Sequence, residues 1–316
     1  MAIIEVDGLN KKFKTTQALK DLSISINKGE LFGLIGPDGA GKTTFLRILA
    51  AVLLPSWGKV RVCDIDVMKQ PQAIKEKIGV VPQTFSLYPD LTVDENLWFF
   101  ARMYKIPEQL FLEKKQRLLH IARLEPFLKR RAEHLSGGMQ KKLALISSLL
   151  HTPELLLLDE PTTGIDPVSR REFWDFLHEL FEQGMTIVIS TPYMDEAERC
   201  SRVCFLYQGE LLLSGNPLEI KKDYPYIVLE VSKGNLTKIR SGGLPADIEI
   251  QDIYPVGNTL HIVVAKGKVS RAKEAIEALD RSATINTVEP TFEDTFIALI
   301  KKRNESDIST GSNKAV

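Results

Sequence analysis

Nine consecutive residues, Gly36-Pro37-Asp38-Gly39-Ala40-Gly41-Lys42-Thr43-Thr44, carry the strongest chemical signal in the chain. The spacing Gly-x-x-x-x-Gly-Lys-Thr suits a loop that wraps phosphates. Gly39 and Gly41 allow consecutive backbone N–H groups to turn inward as an anion nest. A helix following directly points the positive end of its dipole at the same place. Lys42 then reaches the β- and γ-phosphates of a nucleoside triphosphate, and the Thr43 hydroxyl ligates Mg²⁺. The plain alternative is a glycine turn before an ordinary helix, and the strand–loop–helix context weighs against it.

Leu155-Leu-Leu-Leu-Asp159-Glu160 supplies the other half of a hydrolytic site. An acid ending a buried strand can hold the hydration shell of Mg²⁺, and Glu160 beside it can orient or deprotonate an attacking water. Alone the run would say little, because strands often end in charged turns; downstream of a phosphate loop it is informative. A third stretch, Leu135-Ser136-Gly137-Gly138-Met139-Gln140, opens a helix with adjacent glycines. Such a start makes sense if something approaches the backbone closely, as at a second phosphate-binding helix terminus. One nucleotide cannot easily meet both glycine-rich termini of one chain, so a partner is implied.

The elements that must position these residues are legible in outline. Ile3–Val6, Leu22–Ile26 and Leu31–Ile35 read as strands, the last feeding the glycine loop and a helix over Phe45–Leu53. Thr92 and Glu95 form a capping box, Pro107 starts a further helix, and Ser136 opens one reaching about His151. Leu155–Leu158 has the continuous apolar character of a strand buried on both faces of a parallel sheet. A helix near Arg170–Phe181 and a strand Thr186–Ser190 continue the alternation, which predicts an α/β fold. After Pro217, strands at Tyr226–Val231, Ile248–Ile253 and Leu260–Val264, with helices at Ser270–Leu279 and Thr291–Lys302, predict a small α+β appendage. Asn304–Val316 is polar and is expected to be disordered.

Composition narrows the function. The 316 residues hold 41 basic and 41 acidic side chains, and this balance argues against a broad nucleic-acid footprint. The longest apolar runs fall well short of the roughly 20 residues that a membrane-spanning helix needs, and the N-terminus enters a strand without the pattern of a secretory signal. Three cysteines lack metal-ligand spacing and read as buried thiols of a reducing cytosol.

With these motifs in order, the chain resembles the ATP-binding subunit of an ABC transporter. Beside the phosphate loop, the Leu135-Ser136-Gly137-Gly138 signature and Asp159-Glu160, it has Gln83 in Val80-Val-Pro-Gln83 and the segment Gly164-Ile-Asp166-Pro167. The resemblance covers about residues 3–217. It implies a P-loop NTPase cassette over 1–217, with a RecA-like core, an antiparallel β subdomain and a helical signature subdomain at about 84–150. It implies ATP and Mg²⁺ as ligands, with residues 36–44 and Asp159 on the nucleotide and Thr43, Gln83 and Asp159 at the metal, the last through water. Glu160 and Gln83 are then catalytic, Phe13 is placed to stack on adenine, and Asp166 lies at a dimer contact. Ser136, Gly137, Gly138 and Met139 act on the ATP of a second cassette. The implied partners are that cassette and integral-membrane permease subunits, with no nucleic acid, on the cytoplasmic face of the cell membrane. Residues 218–303, closing on Glu289-Pro-Thr-Phe-Glu293-Asp-Thr-Phe296-Ile, resemble the small domain of ABC-2-type exporters.

The chain departs from the family pattern at the switch position, where a histidine is usual and Pro192 stands. Proline has no side-chain donor, and losing one preorganised donor to a transition state costs on the order of 10²–10³ in rate. Asp38 replaces the usual asparagine and reads as a solvent-facing turn residue; Met139 replaces a glutamine. Met139 carries little weight, but Gly36-Pro-Asp38-Gly, the missing histidine, Gln83 followed by Phe85-Ser-Leu-Tyr88, and Pro167-Val-Ser-Arg-Arg together resemble the first cassette of fused two-cassette exporters. The expectation is an ATP-hydrolysing subunit driving an exporter, as half of an asymmetric pair with a separate, histidine-containing cassette. The competing readings are a soluble ABC ATPase unconnected with transport and a non-hydrolysing regulatory cassette. The aromatic-rich segment Phe85–Phe100 is expected to dock the membrane partner.

Overall fold

Leu31–Ile35 is buried at every position because it becomes an inner strand of a sheet covered on both faces. The computed structural model describes residues 1–84 and 86–311, with residue 302 and residues 304–311 given by backbone alone. The chain divides into two compact units, Met1–Pro217 and Leu218–Val316.

The first unit begins with a long hairpin, β1 (Ala2–Phe13) and β2 (Thr16–Asn27), before β3 (Leu31–Ile35) and α1 (Lys42–Leu49). Then come β4 (Trp57–Val62), β5 (Ile65–Asp66), α2 (Pro71–Lys77) and β6 (Ile78–Val81). Three helices follow, α3 (Val93–Met103), α4 (Glu108–Ala122) and α5 (Gly137–Leu149). The chain returns through β7 (Leu155–Asp159), α6 (Pro167–Glu182), β8 (Thr186–Thr191), α7 (Met194–Ala197), β9 (Arg202–Tyr207) and β10 (Glu210–Gly215). A six-stranded sheet runs β10-β9-β3-β8-β7-β6, and all its pairs are parallel except β10 with β9. A separate antiparallel sheet runs β2-β1-β4-β5. The core, the antiparallel sheet and the helical segment expected from the motifs are all present.

Local signals hold where they are strong. Thr92 and Glu95 form the reciprocal capping box at α3, and Pro107 is the N-cap of α4. The first helix stops earlier than its apolar pattern predicts: α1 ends at Leu49, and Ala51 has a φ of 52°, which breaks the helical path. The β1–β2 hairpin is far longer than its apolar segments, because alternate residues such as Glu5 and Asp7 face solvent while Ile4, Val6 and Leu9 are buried.

After α8 (Pro217–Asp223), the second unit is βαββαβ: β11 (Tyr226–Ser232), α9 (Leu236–Ser241), β12 (Ile250–Val256), β13 (Thr259–Ala265), α10 (Val269–Leu279) and β14 (Thr284–Val288). Its four strands are antiparallel in the order β12-β13-β11-β14, and Leu229, Val231, Leu260, Ile262, Ala272 and Ile276 form its core. The closing helix α11 (Phe292–Gly311) starts at a Thr291–Asp294 cap, whose carboxylate also accepts from the Tyr254 hydroxyl on β12. Its backbone continues past Asn304, where composition predicts disorder; a helix satisfies its hydrogen bonds along its own axis and needs no core to do so. The last of that segment, residues 312–316, lies outside the described residues. Among the described residues no helix is long and apolar enough to cross a membrane.

Candidate nucleotide site

The phosphate loop joins β3 to α1, and its glycines answer to different demands. A Cβ at Gly36 would fall 2.2 Å from the Leu206 carbonyl oxygen of β9. Gly41 has a φ of 108° and sits against Ala18 of β2, whereas Gly39, at φ 77°, has open space before it. Steric crowding therefore requires glycine at 36 and 41, and backbone handedness requires it at 39 and 41. Lys42 folds back over the loop, its Nζ donating to the carbonyl oxygens of Gly36 (2.8 Å) and Pro37 (3.1 Å) and pairing with Glu160 Oε1 at 3.0 Å.

The two acids end β7 side by side. Asp159 Oδ1 accepts from the hydroxyls of Thr43 (3.1 Å) and Ser190 (2.7 Å), and Glu160 N donates to Ser190 Oγ (3.0 Å) and to the Ser190 carbonyl (3.1 Å). Ser190 on β8 thus ties the Asp159 carboxylate to the Glu160 main chain. Glu160 needs this support: its φ of 46° puts a non-glycine residue in the left-handed region, which costs roughly 1–3 kcal/mol and concentrates at functional sites. Gln83 completes the cluster, its Nε2 donating to Glu160 Oε2 at 2.8 Å.

Gln83 and Glu160 share a cleft of about 530 Å³ with Thr16, Gln17, Asp38, residues 39–44 and Gln208. Oxygen donors at Thr43 and Asp159 suit Mg²⁺, which binds through one or two protein oxygens plus substrate phosphates. No cluster of three His, Cys, Asp or Glu that could hold a metal by itself occurs among the described residues. Asp38 is exposed at the rim, as its turn reading predicts. Phe13 is 44% exposed, under the Lys11 ammonium at 4.9 Å, and pairs with Thr16 across the hairpin. It is not a core aromatic, but it stands beside the cleft wall rather than within it.

The signature lies apart from this cleft. Ser136 caps α5 by accepting from Met139 N at 3.3 Å, and Gly137 is exposed. Gly138 has a packing reason that sequence reasoning missed: a Cβ there would lie 2.4 Å from Ser169 Cβ on α6. Of the two glycines, only Gly137 (nearest atom 3.5 Å) is left without a strong steric demand. Asp166 caps α6, its Oδ1 accepting from Val168 N (3.0 Å) and Ser169 N (2.9 Å). Hydrogen bonding with Ser169 holds its carboxyl below the usual range. Pro192 directly follows β8, and none of the five histidines lines the cleft.

Two further residues were not legible in advance. Lys141 on α5 donates to the Gln83 carbonyl at 2.9 Å, and burial lowers its pKa against the raising effect of Asp159 and Glu160. Arg170 on α6 clamps the stretch after Pro192, with Nε 2.6 Å from Glu196 and a guanidinium nitrogen 2.8 Å from each Asp195 oxygen. Within the segment Phe85–Phe100 expected to dock a membrane partner, Leu87 is only 6% exposed and Trp98 packs on Phe111 at 4.4 Å, so both serve internal packing. Tyr88 and Phe99, 4.3 Å apart, are the exposed pair, and Phe85 lies outside the described residues.

The family model described as ABC transporter matches residues 19–163. The probable multidrug ABC transporter ATP-binding protein YbhF of Escherichia coli is 38% identical over 98% of this chain, and the chain spans 54% of that protein, about half its length. A Nod factor export ATP-binding protein I of Ralstonia nicotianae is 38% identical over 76% of this chain and 75% of its own. That of Rhizobium etli is 34% identical, over 96% and 95%. Among solved structures, cbiO1 of Clostridium perfringens, part of the ABC transporter complex cbiONQ, superposes with a TM-score of 0.66 at 30% identity, over 70% of this chain and 91% of that one. An ATP-binding cassette solved as a dimer in a post-hydrolysis state with ADP and Pi superposes at 0.62 and 28% identity, over 67% and 98%. Motif order, fold and relatives agree: this chain belongs to the ABC transporter family of ATP-binding proteins.

Proposed function

We propose that this chain is the ATP-binding and ATP-hydrolysing subunit of an ABC-2-type exporter and works as half of an asymmetric pair with a second cassette. The observation that carries hydrolysis is Glu160, a buried acid in a strained conformation whose two oxygens are separately held by Lys42 and Gln83. The backbone N–H groups of Gly39 and Gly41 and the start of α1 bind the phosphates. Lys42 moves its charge from Glu160 to the phosphates, which releases Glu160 Oε1 to take a proton from water. The Gln83 amide keeps the other oxygen in place. Thr43 and, through water, Asp159 would hold Mg²⁺, which would supply charge neutralisation at the phosphates.

Relatives named for multidrug and Nod factor export support an export role, and a mainly apolar pocket lined by Val52, Val80, Pro82 and Thr84, with Arg47, Gln83 and Asp159 also in its wall, offers a place for a permease segment. The proposed location is peripheral, on the inner face of the cell membrane, with the permease as separate chains. Pro192 supports asymmetry: a homodimer would lack the switch donor at both sites, whereas a histidine-bearing partner would supply one complete site and use Ser136, Gly137 and Gly138 from this chain. Pro192 also favours the second reading, a cassette that binds ATP without hydrolysing it.

Turnover of the purified chain, measured alone and with a candidate partner cassette, separates these readings. Slow turnover alone, abolished by Glu160→Gln and raised at least about tenfold by Pro192→His, is expected. Fast turnover alone that ignores Glu160→Gln overturns the proposal.

A further inference from the structure

Gln83 is held at both ends. Its side-chain amide donates to Glu160 Oε2 at 2.8 Å, and its main-chain carbonyl accepts from Lys141 Nζ at 2.9 Å. Lys141 is not on the same segment but on α5, one turn beyond Gly137, so two hydrogen bonds connect the signature helix with the candidate base. Around this link lies a cavity of about 220 Å³ lined by Gln83, Thr84, Gly137, Lys141, Gly164 and Ile165. The segment after β6, the start of α5 and the approach to α6 therefore share one small space. A charged donor to a neutral carbonyl makes a stronger tie than a neutral pair would, and it is anchored in a helix whose own hydrogen bonds keep it stiff.

We propose that Lys141 is a positioning residue of this chain's own hydrolytic site: it ties the signature helix to the main chain of Gln83 and thereby keeps the Gln83 amide on Glu160. The proposal rests on the hydrolase reading above and deepens it. The signature glycines that meet a partner's nucleotide and the base that acts on this chain's nucleotide are then mechanically linked within one polypeptide. A displacement of the α5 N-terminus shifts Gln83 and so changes the setting of Glu160.

The test uses the full chain with two substitutions, Lys141→Met, which keeps the stem and removes the donor, and Lys141→Arg, which keeps a donor. Lys141→Met is expected to speed amide hydrogen exchange about tenfold in the peptide running from the hydrogen-bonded end of β6 through Thr84, with α5 peptides unchanged. It should lower kcat for Mg-ATP about tenfold at unchanged KM and leave affinity for a fluorescent ATP analogue within about twofold. Lys141→Arg should restore both exchange and kcat. Unchanged exchange in the peptide from the end of β6 through Thr84 in Lys141→Met overturns the proposal, as does a rise spread along α5, which would make the residue merely structural, or an arginine variant that behaves like methionine. Exchange needs no nucleotide, so a wild-type chain that failed to bind the analogue would count against the hydrolase reading while the exchange pattern still decided on the tie.

Discussion

Lys42 Nζ stands 3.0 Å from Glu160 Oε1, and the two side chains are only 4% and 6% exposed. The cation of the phosphate loop and the acid that ends β7 thus neutralise each other out of water. Each solves the other's burial problem, since an isolated charge in so dry a position would be strongly unfavourable. Folding stability and the proposed nucleotide binding therefore share one residue.

Lys42→Ala is expected to abolish binding of a fluorescent ATP analogue and also to lower unfolding free energy by about 3–5 kcal/mol, because Glu160 is left buried without its cation. Urea denaturation reads the second effect. The double variant Lys42→Ala/Glu160→Gln should recover most of the stability and none of the binding. Unchanged affinity in the single variant refutes the phosphate-loop assignment.

Adjacent glycines of the signature should respond differently to alanine. Gly138→Ala forces a methyl against Ser169 and should cost about 1–3 kcal/mol by overpacking. Gly137→Ala meets nothing closer than 3.5 Å and should leave stability within about 0.5 kcal/mol, while lowering turnover of the paired cassettes. Thermal unfolding and partner-stimulated ATPase assays, run side by side, check the split; equal destabilisation by both variants would contradict it.

Tyr88 and Phe99 form the exposed aromatic pair expected to face a membrane partner. Tyr88→Asp and Phe99→Asp should release the chain from permease-containing membranes in a flotation assay, with ATP-analogue binding intact. Leu87→Asp should instead unfold the chain, because it buries a charge at a 6%-exposed position. Full retention of both surface variants on membranes would move the interface elsewhere.

His151 gives a pH dependence of defined sign. It stacks on Tyr104 with ring centroids 4.0 Å apart, its Nε2 lies 2.9 Å from the Ile78 carbonyl, and its Nδ1 is buried without a partner. Burial lowers its pKa, so near its ordinary value the unfolded chain binds a proton that the folded chain refuses. Stability present at neutral pH should fall as pH drops below about 6.5. Urea midpoints between about pH 7 and about pH 5 should decline less steeply in His151→Phe than in the wild type; equal slopes would show that His151 titrates freely.

Much of the site was legible because its signals are local. The glycines and lysine of residues 36–42 dictate loop conformation within a few residues, the run Leu155–Leu158 announces a doubly covered strand, and Thr92 with Glu95 closes a cap inside one helical turn. Such features depend on backbone handedness, side-chain reach and burial, all properties of short stretches. Other features depend on residues far away in the chain. Gly138 is glycine because Ser169 crosses it, Leu87 is buried while Tyr88 beside it is not, and Lys141 finds the carbonyl of Gln83. The strained φ of Glu160 is supported by Ser190 on a neighbouring strand. Sequence by itself determined the family and the residues proposed to carry its chemistry, since residue type and close spacing specify both. Only the tertiary structure decided which groups hold that chemistry in place, because those contacts arise when helices and strands remote in sequence pack within van der Waals distance.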